Sequence, residues 1–406
     1  MTETTVIRET FEQGQGILRL APNFVPRRFS EAGRRLRLHP DDYYALGTVR
    51  GSIKERWFSS VIAAMNGPLA PLDEGMSYVT PTERIEDKFL FKDAVEELGV
   101  AIIGETLHAK YGTWPMYSKF FDYNPPLFLH LHLDDIAAAR VGRIGKPEGY
   151  YFPPQLNNHP GEFPVTYFGF DPSVTLDEVR ARLLDFEKCD TRITELSRAF
   201  RIELGTGWYT PPGVVHAPGS YLTYEPQWNS DVNSVYENVT SGEVYPYEFL
   251  VENCPDDKKR DMDYVLSLMD WEKNVDPFYR EHYFRPSVVC PHSDDRHVEK
   301  WVVYANDYFG AKELTILPGQ TVTVRDGAAY GCIIIQGHGK FGVHNAEAAI
   351  MLRFGQISAD EYFVSEAAAR AGVTITNHSR WEPMVMLKHF GPNHPDMPQT
   401  TPLQGA

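Results

Sequence analysis

Leu127-Phe-Leu-His130-Leu-His132-Leu133 and Gly205-Thr-Gly-Trp-Tyr-Thr-Pro211-Pro-Gly213-Val-Val-His216 are the two stretches on which the reading of this 406-residue chain turns. Histidines two apart on a strand project to one face, because strand side chains alternate with period two. Leu127, Leu129, Leu131 and Leu133 then face the other way, so the strand is expected to be buried on both faces. Imidazoles left without partners in an interior are costly, which points to metal or hydrogen-bond partners. In the second stretch a Pro-Gly turn feeds a strand and sets a third histidine at fixed offset. A fourth, oxygen ligand is expected from the segment between them, and Glu162 in Asn158-His159-Pro-Gly-Glu162-Phe is the choice. Asp134, Asp135 and Glu148 compete with it, but the aspartates follow His132 so closely that a solvent-facing turn suits them better. His130, His132, Glu162 and His216 would hold one divalent ion, zinc first, with manganese, iron, cobalt or nickel as alternatives. Such a shell leaves open coordination positions.

Working outward, short β-branched or alternating runs separated by Pro and Gly dominate. They include Met76 to Val79, Thr166 to Phe170, Gly213 to Val215, Ser220 to Tyr224, Trp301 to Tyr304, Thr321 to Arg325 and Cys332 to Gln336. Many short strands with turn signals indicate a sandwich or barrel rather than a parallel α/β sheet. Helical periodicity is clearest over Glu83 to Leu98, Thr175 to Glu187 and Asp261 to Trp271. The expected division is a metal-containing β domain over 1–250 with helical insertions, a helical linker over 251–295, and a second β-barrel over 296–406. The last contains His338, His344 and His378 but no HxH pair followed by a carboxylate at similar spacing, so no metal is expected there.

A formal net charge of −16 argues against a nucleic-acid partner, since phosphate binding needs clustered Lys and Arg. The one basic run, Arg27-Arg28 to Arg34-Arg35-Leu-Arg37, leads into His39-Pro-Asp-Asp and is read as a solvated or ion-paired face. No stretch approaches the roughly 18 apolar residues a membrane span requires, and MTETTVIRETFEQ lacks a secretory pattern. Cys189, Cys254, Cys290 and Cys332 show no CxxC spacing and read as reduced thiols. A cytoplasmic protein is expected, and a homodimer through an exposed barrel face is compatible with this reading.

With those residues in hand, the chain resembles the cupin superfamily, whose second motif G(x)5PxGxxH is matched from Gly205 to His216. More narrowly it resembles type I mannose-6-phosphate isomerases. The residues that carry the likeness are Glu55-Arg-Trp57, Trp114-Pro115-Met-Tyr-Ser-Lys119, His130-Leu-His132, Asn158-His159-Pro-Gly-Glu162, Pro211-Pro-Gly213-Val-Val-His216-Ala217, and Glu225 through Asp231. The resemblance implies a mainly β fold of two jelly-roll barrels with a helical linker, and an isomerase interconverting an aldose and a ketose through a cis-enediol. Glu225, assisted by Asp231, would be the base and Lys119 would orient substrate or stabilise the enediolate. Glu55, Trp57 and Trp208 would contact a carbohydrate substrate. Glu225 lies nine residues beyond His216, so a straight strand would face it the wrong way without a bulge near Pro218-Gly219.

Against the family pattern, His130 stands for a glutamine ligand, Phe128 for a serine, Pro160 for the lysine two residues before the glutamate, and Val235 for an arginine. The loss of donors predicts that mannose 6-phosphate is not the substrate and that an unphosphorylated sugar or sugar acid is. A redox-active cupin dioxygenase and a non-catalytic sugar-binding protein are the alternative readings.

Overall fold

A computed structural model describes residues 3–159, 163–392 and 394–403. The chain is mainly β, built on antiparallel sheets. Two large sheets of seven strands stand back to back. The first is ordered Phe284–Arg285, Gly207–Thr210, Glu148–Tyr151, Thr223–Trp228, Met116–Phe121, Ser52–Phe58 and Asn23–Arg27. The second is ordered Ile17–Arg19, Glu361–Val364, Tyr330–Gln336, Met384–Phe390, Gly310–Ile316, His297–Val303 and Val288–Val289.

Between them lies the largest core, which joins Phe58, Phe120, Tyr151 and Tyr224 of the first sheet to Val302, Val303, Ile333 and Leu387 of the second. Ser52–Phe58 and Met116–Phe121 are therefore buried along their whole length. Gly149 marks how closely the sheets approach, since a Cβ there would sit 2.6 Å from Val303 Cγ1.

The outer face of each large sheet is covered differently. The second packs on a four-stranded sheet of Thr321–Val324, Val373–Asn377, His338–Phe341 and His344–Glu347, with Leu314, Val322, Ile334 and Ile375 between them. The first faces a five-stranded sheet ordered Ser197–Arg201, Val165–Phe170, His216–Ala217, His130–Leu131 and Ser234–Val235. Leu129, Leu131, Leu133, Val215 and Ala217 turn to the far side of that sheet. There they pack on Leu250, Val251, Val265, Leu266 and Met269 from the short helices of the 247–270 region. The leucines between the histidines thus bury one face, and the histidines own the other.

Local structure follows sequence where caps are written into it. Leu176–Leu184 is a helix opened by a capping box, in which Thr175 and Glu178 satisfy each other's backbone N–H groups. Asp261 caps Met262–Ser267, and the helical pattern expected to run on to Trp271 breaks there before restarting at Trp271–Asn274. Residues expected to be helical from Glu83 begin their helix only at Phe91–Ile103, because Phe89–Leu90 pairs instead with Tyr78–Val79. Gly213 to Val215 is not a ladder strand. Asn274 takes part of its backbone, its Oδ1 accepting from Val215 N–H and its Nδ2 donating to the Gly213 carbonyl.

The expected division at residue 250 is crossed at the N-terminus, where Ile17–Arg19 pairs with Glu361–Val364 at the edge of the second large sheet. The basic run divides as a solvated or ion-paired segment would: Arg28 and Arg34 are exposed, while Arg27 and Arg35 are buried in ion pairs, Arg35 with Asp122 and also bonded to the Ser220 carbonyl. All four cysteines are free, and Cys189 is exposed. No helix among the described residues is long and apolar enough to cross a membrane.

Candidate metal centre

The strand bearing His130 pairs directly with the strand bearing His216, the two histidines in register. His132 follows two residues on, and the three rings converge with centroids 4.2–4.9 Å apart. Each Nδ1 lies against a backbone carbonyl: His130 on Phe128 at 3.1 Å, His132 on Val232 at 2.7 Å, and His216 on Val214 at 2.8 Å. A carbonyl only accepts, so each Nδ1 carries a proton and donates, which leaves Nε2 as the atom each ring can offer to a ligand. Burial, and then the neighbouring rings, hold His130 well below the usual imidazole range. Burial and the Lys146 charge bring His132 down to about 3. Both rings are neutral near pH 7.

From the facing sheet, Glu148 brings its Oε2 to 2.9 Å from His132 Nε2 and its Oε1 to 2.9 Å from His216 Nε2. Glu148 Oε1 and His216 Nε2 are buried without a hydrogen-bond partner, while Glu148 Oε2 also faces Lys146 Nζ at 3.1 Å. A carboxylate turned onto imidazole nitrogens in a buried cluster repels them unless a proton or a cation lies between. One ligand atom from each of His130, His132, Glu148 and His216 lies within 4.8 Å of all the others. Three neutral imidazoles and a carboxylate suit a divalent ion of the zinc, iron or manganese kind, and orientation through Nδ1 is the usual support for such ligands. The Lys146 ammonium stands at the edge, 3.1 Å from both His132 Nε2 and Glu148 Oε2.

The cluster opens into a cavity of about 270 Å³, lined among others by Arg27, Glu55, Lys119, Lys146, Glu225 and Asp231. Lys119 Nζ lies 3.2 Å from Glu225 and 3.9 Å from Glu55, and Lys146 Nζ lies 3.8 Å from Glu225. Burial, and then the Glu148 charge, raise Glu225 to about 8, against the pull of Lys119 and Lys146. Burial opposes ionisation of Glu55 too. There the charges of Arg27 and Lys119, with hydrogen bonds from Arg27 and Trp57, outweigh it and keep Glu55 below the usual carboxylate range.

The residues expected from sequence fall into three groups. His130, His132 and His216 come together, and Glu55, Lys119, Glu225 and Asp231 all line the cavity beside them. Glu162 lies outside the described residues, and the carboxylate brought to the three imidazoles is Glu148. Trp57 and Trp208 have no exposed surface and neither lines the cavity, so neither offers a face to a sugar. Trp57 packs on Tyr117 and donates Nε1–H to Glu55, while Trp208 sits in an aromatic cluster with Phe168, Phe200 and Phe284.

Glu225 reaches the cavity without a bulge, because His216 and Glu225 belong to opposite sheets and the chain crosses between them after Ala217. Glu148 had a usable signal: Lys146-Pro147-Glu148 supplies both a carboxylate and the lysine two residues before it that Pro160 lacks. Arg27 had none, being 204 residues from the Asp231 it binds. Phe128 packs on His130 and Tyr245 in a small core that also holds Val235, so neither provides a donor to the cavity.

A second group, Cys290, His292 and Glu299, also comes within ligand reach. Its Glu299 is taken by Lys312 and Lys388, and burial and the Glu299 charge push the Cys290 thiol up to about 11, which suits a neutral thiol rather than a ligand.

Fold and site together define a β-sandwich protein of cupin type with a buried three-histidine, one-carboxylate cluster. Solved structures that it resembles over most of its length include mannose-6-phosphate isomerases. The enzyme from Bacillus subtilis is 17% identical with a TM-score of 0.60, over 92% of this chain and 99% of that one. A mannose 6-phosphate isomerase bound with zinc and yttrium is 11% identical with a TM-score of 0.60, over 93% and 100%. A single-residue mutant of phosphomannose isomerase from Salmonella typhimurium is 11% identical with a TM-score of 0.59, over 93% and 100%. At such identities the likeness establishes the fold. No family model and no curated protein matches the sequence.

Proposed function

We propose that the chain is a metal-dependent sugar isomerase that interconverts an aldose and a ketose by proton transfer through a cis-enediol. The observation that carries this reading is the placement of Glu225 beside the cluster, in one cavity with two lysines. His130, His132, Glu148 and His216 would hold the ion, which when bound supplies Lewis acidity toward adjacent carbonyl and hydroxyl oxygens of a sugar. Glu225 takes the proton from the carbon next to the carbonyl and returns it to the former carbonyl carbon, while the hydroxyl proton passes between the two substrate oxygens by way of the lysine ammonium groups beside them. Its raised proton affinity suits a group that must both accept and release a proton near neutral pH, and a divalent charge nearby would lower that affinity. Lys119 and Lys146 stabilise charge on the substrate oxygens during the transfer. Asp231 accepts from Arg27 and from Met65 N–H and acts by holding that side of the cavity.

The core positions of Phe128 and Val235 support an unphosphorylated sugar or sugar acid as substrate. A non-catalytic binding protein would have no need of Glu225 and two lysines at the cluster edge. The test is to incubate the metal-loaded protein in deuterium oxide, without oxygen, with a panel of free and phosphorylated aldoses and ketoses. Deuterium entering C1 or C2 of one pair is expected. No exchange with any sugar, or turnover that requires oxygen, would overturn the reading.

A further inference from the structure

We propose that Arg27 is a substrate-positioning residue, its one uncommitted N–H donating to a hydroxyl of a neutral sugar. The proposal rests on the cavity being a sugar site as argued above, and it names a contact and a substrate class that the isomerase reading leaves open.

Arg27 ends the strand Asn23–Arg27, which shifts register against Ser52–Phe58 between Val25 and Pro26. Such an irregularity re-aims the side chains beyond it. Its backbone carbonyl is held by Lys54 Nζ at 2.6 Å. The side chain is 8% exposed and lines the cavity together with Lys119, His130 and Glu225.

A guanidinium has five N–H donors in a fixed plane. Nε donates to Glu55 Oε1 at 2.9 Å, and one Nη2 proton to Glu55 Oε2 at 3.1 Å. The other Nη2 proton is shared between Asp231 Oδ1 at 2.9 Å and Oδ2 at 3.1 Å. Nη1 donates once, to Asn66 Oδ1 at 2.9 Å. The second Nη1 proton has no acceptor among the described residues. The fork is clamped on two carboxylates and lies 5.7 Å from the Trp57 ring, so this donor is fixed in direction before any ligand arrives.

The same contacts decide the charge of the ligand. Glu55 and Asp231 together carry more negative charge than the Arg27 guanidinium they hold neutralises. An anionic group brought to Arg27 would meet two carboxylates at hydrogen-bond distance from the same guanidinium, whereas a hydroxyl would meet a donor with acceptors beside it. A neutral polyol face fits this corner. Glu55 and Asp231 then act through Arg27 as positioning residues.

The test measures binding by calorimetry to the metal-loaded full chain. The probes are D-mannose, D-glucose and D-fructose, their singly deoxygenated analogues, and D-mannose 6-phosphate as the anionic arm. Arg27→Lys retains the charge between Glu55 and Asp231, and Arg27→Met paired with Asp231→Asn avoids an orphaned buried carboxylate. At least one neutral hexose is expected to bind the native chain and to lose about 10- to 100-fold in affinity in both variants, with metal content unchanged. One deoxy analogue is expected to bind the native chain that much more weakly and to be indifferent to the Arg27 variants. This pattern is one that a merely structural role would not produce.

Loss spread evenly over all analogues, no loss in either variant, binding of the phosphorylated sugar alone, or no sugar binding at all would overturn the proposal. Should the pattern appear while no deuterium exchange does, the isomerase reading fails and the Arg27 contact stands.

Discussion

Glu148→Gln discriminates between the two carboxylates that could complete the metal shell. The substitution keeps the side-chain shape but removes the charge and places an N–H2 group among imidazole lone pairs. In the native chain a divalent ion held at a hundred times its dissociation constant stabilises the fold by about 2.7 kcal/mol. An unfolding entropy of about 2.1 cal/mol/K per residue gives roughly 0.9 kcal/mol/K for a chain of 406 residues. Chelation should therefore lower the melting midpoint by about 3 K. Changing a residue that only orients a ligand weakens binding by roughly 10- to 100-fold, so losing a charged ligand should do at least as much. At the same free metal concentration a 100-fold loss leaves only about 0.4 kcal/mol, and the shift shrinks to less than about 1 K. Comparing metal-loaded with chelated protein for each variant cancels any effect on the metal-free fold. Scanning calorimetry with metal analysis should then give about 3 K for the native chain and for Glu162→Gln, and almost nothing for Glu148→Gln. The assignment fails if Glu148→Gln keeps the full shift and metal stoichiometry while Glu162→Gln loses both.

Four further outcomes are expected. Glu225→Gln should retain its metal yet lose about 10²- to 10⁴-fold in turnover; loss of metal instead would make Glu225 part of the shell rather than the base. His389 is buried on the Tyr224 hydroxyl and burial brings it down to about 3, so below about pH 6.5 the unfolded chain takes up a proton that the fold refuses. Stability should fall with decreasing pH by roughly 1 kcal/mol per unit from there toward pH 3, and urea midpoints at pH 7, 6 and 5 should flatten in His389→Gln; equal slopes would remove His389 as the cause. Trp208→Ala should cost about 3–5 kcal/mol by opening a cavity among Phe168, Phe200 and Phe284, and a sugar affinity altered in a variant of undiminished stability would return Trp208 to the site. Thr175→Ala should cost about 1 kcal/mol through loss of the capping box with no change in metal content, as circular-dichroism melts and metal analysis would show.

Period-two spacing made His130 and His132 share a face whatever the rest of the chain did, and a Pro-Gly turn set His216 at a fixed offset. Those are local constraints, and three of the four cluster residues were legible from them, as were the leucine face and the mainly β class. The fourth side of the cluster depends on which strand of the opposite sheet lies across from the histidines, and the lysine two residues before Glu148 was the one local hint that set it above Glu162. The orientation of Glu225 looked wrong by strand parity only because parity assumes one sheet, and the chain changes sheet after Ala217. The two tryptophans illustrate the same limit: aromatic residues near a site in sequence suit stacking and packing equally, and burial decided for packing. Arg27 was beyond reach of the sequence for the plainest reason. An ion pair spanning 204 residues is a property of sheet order and of the charges left facing one cavity, and both exist only once the chain has folded.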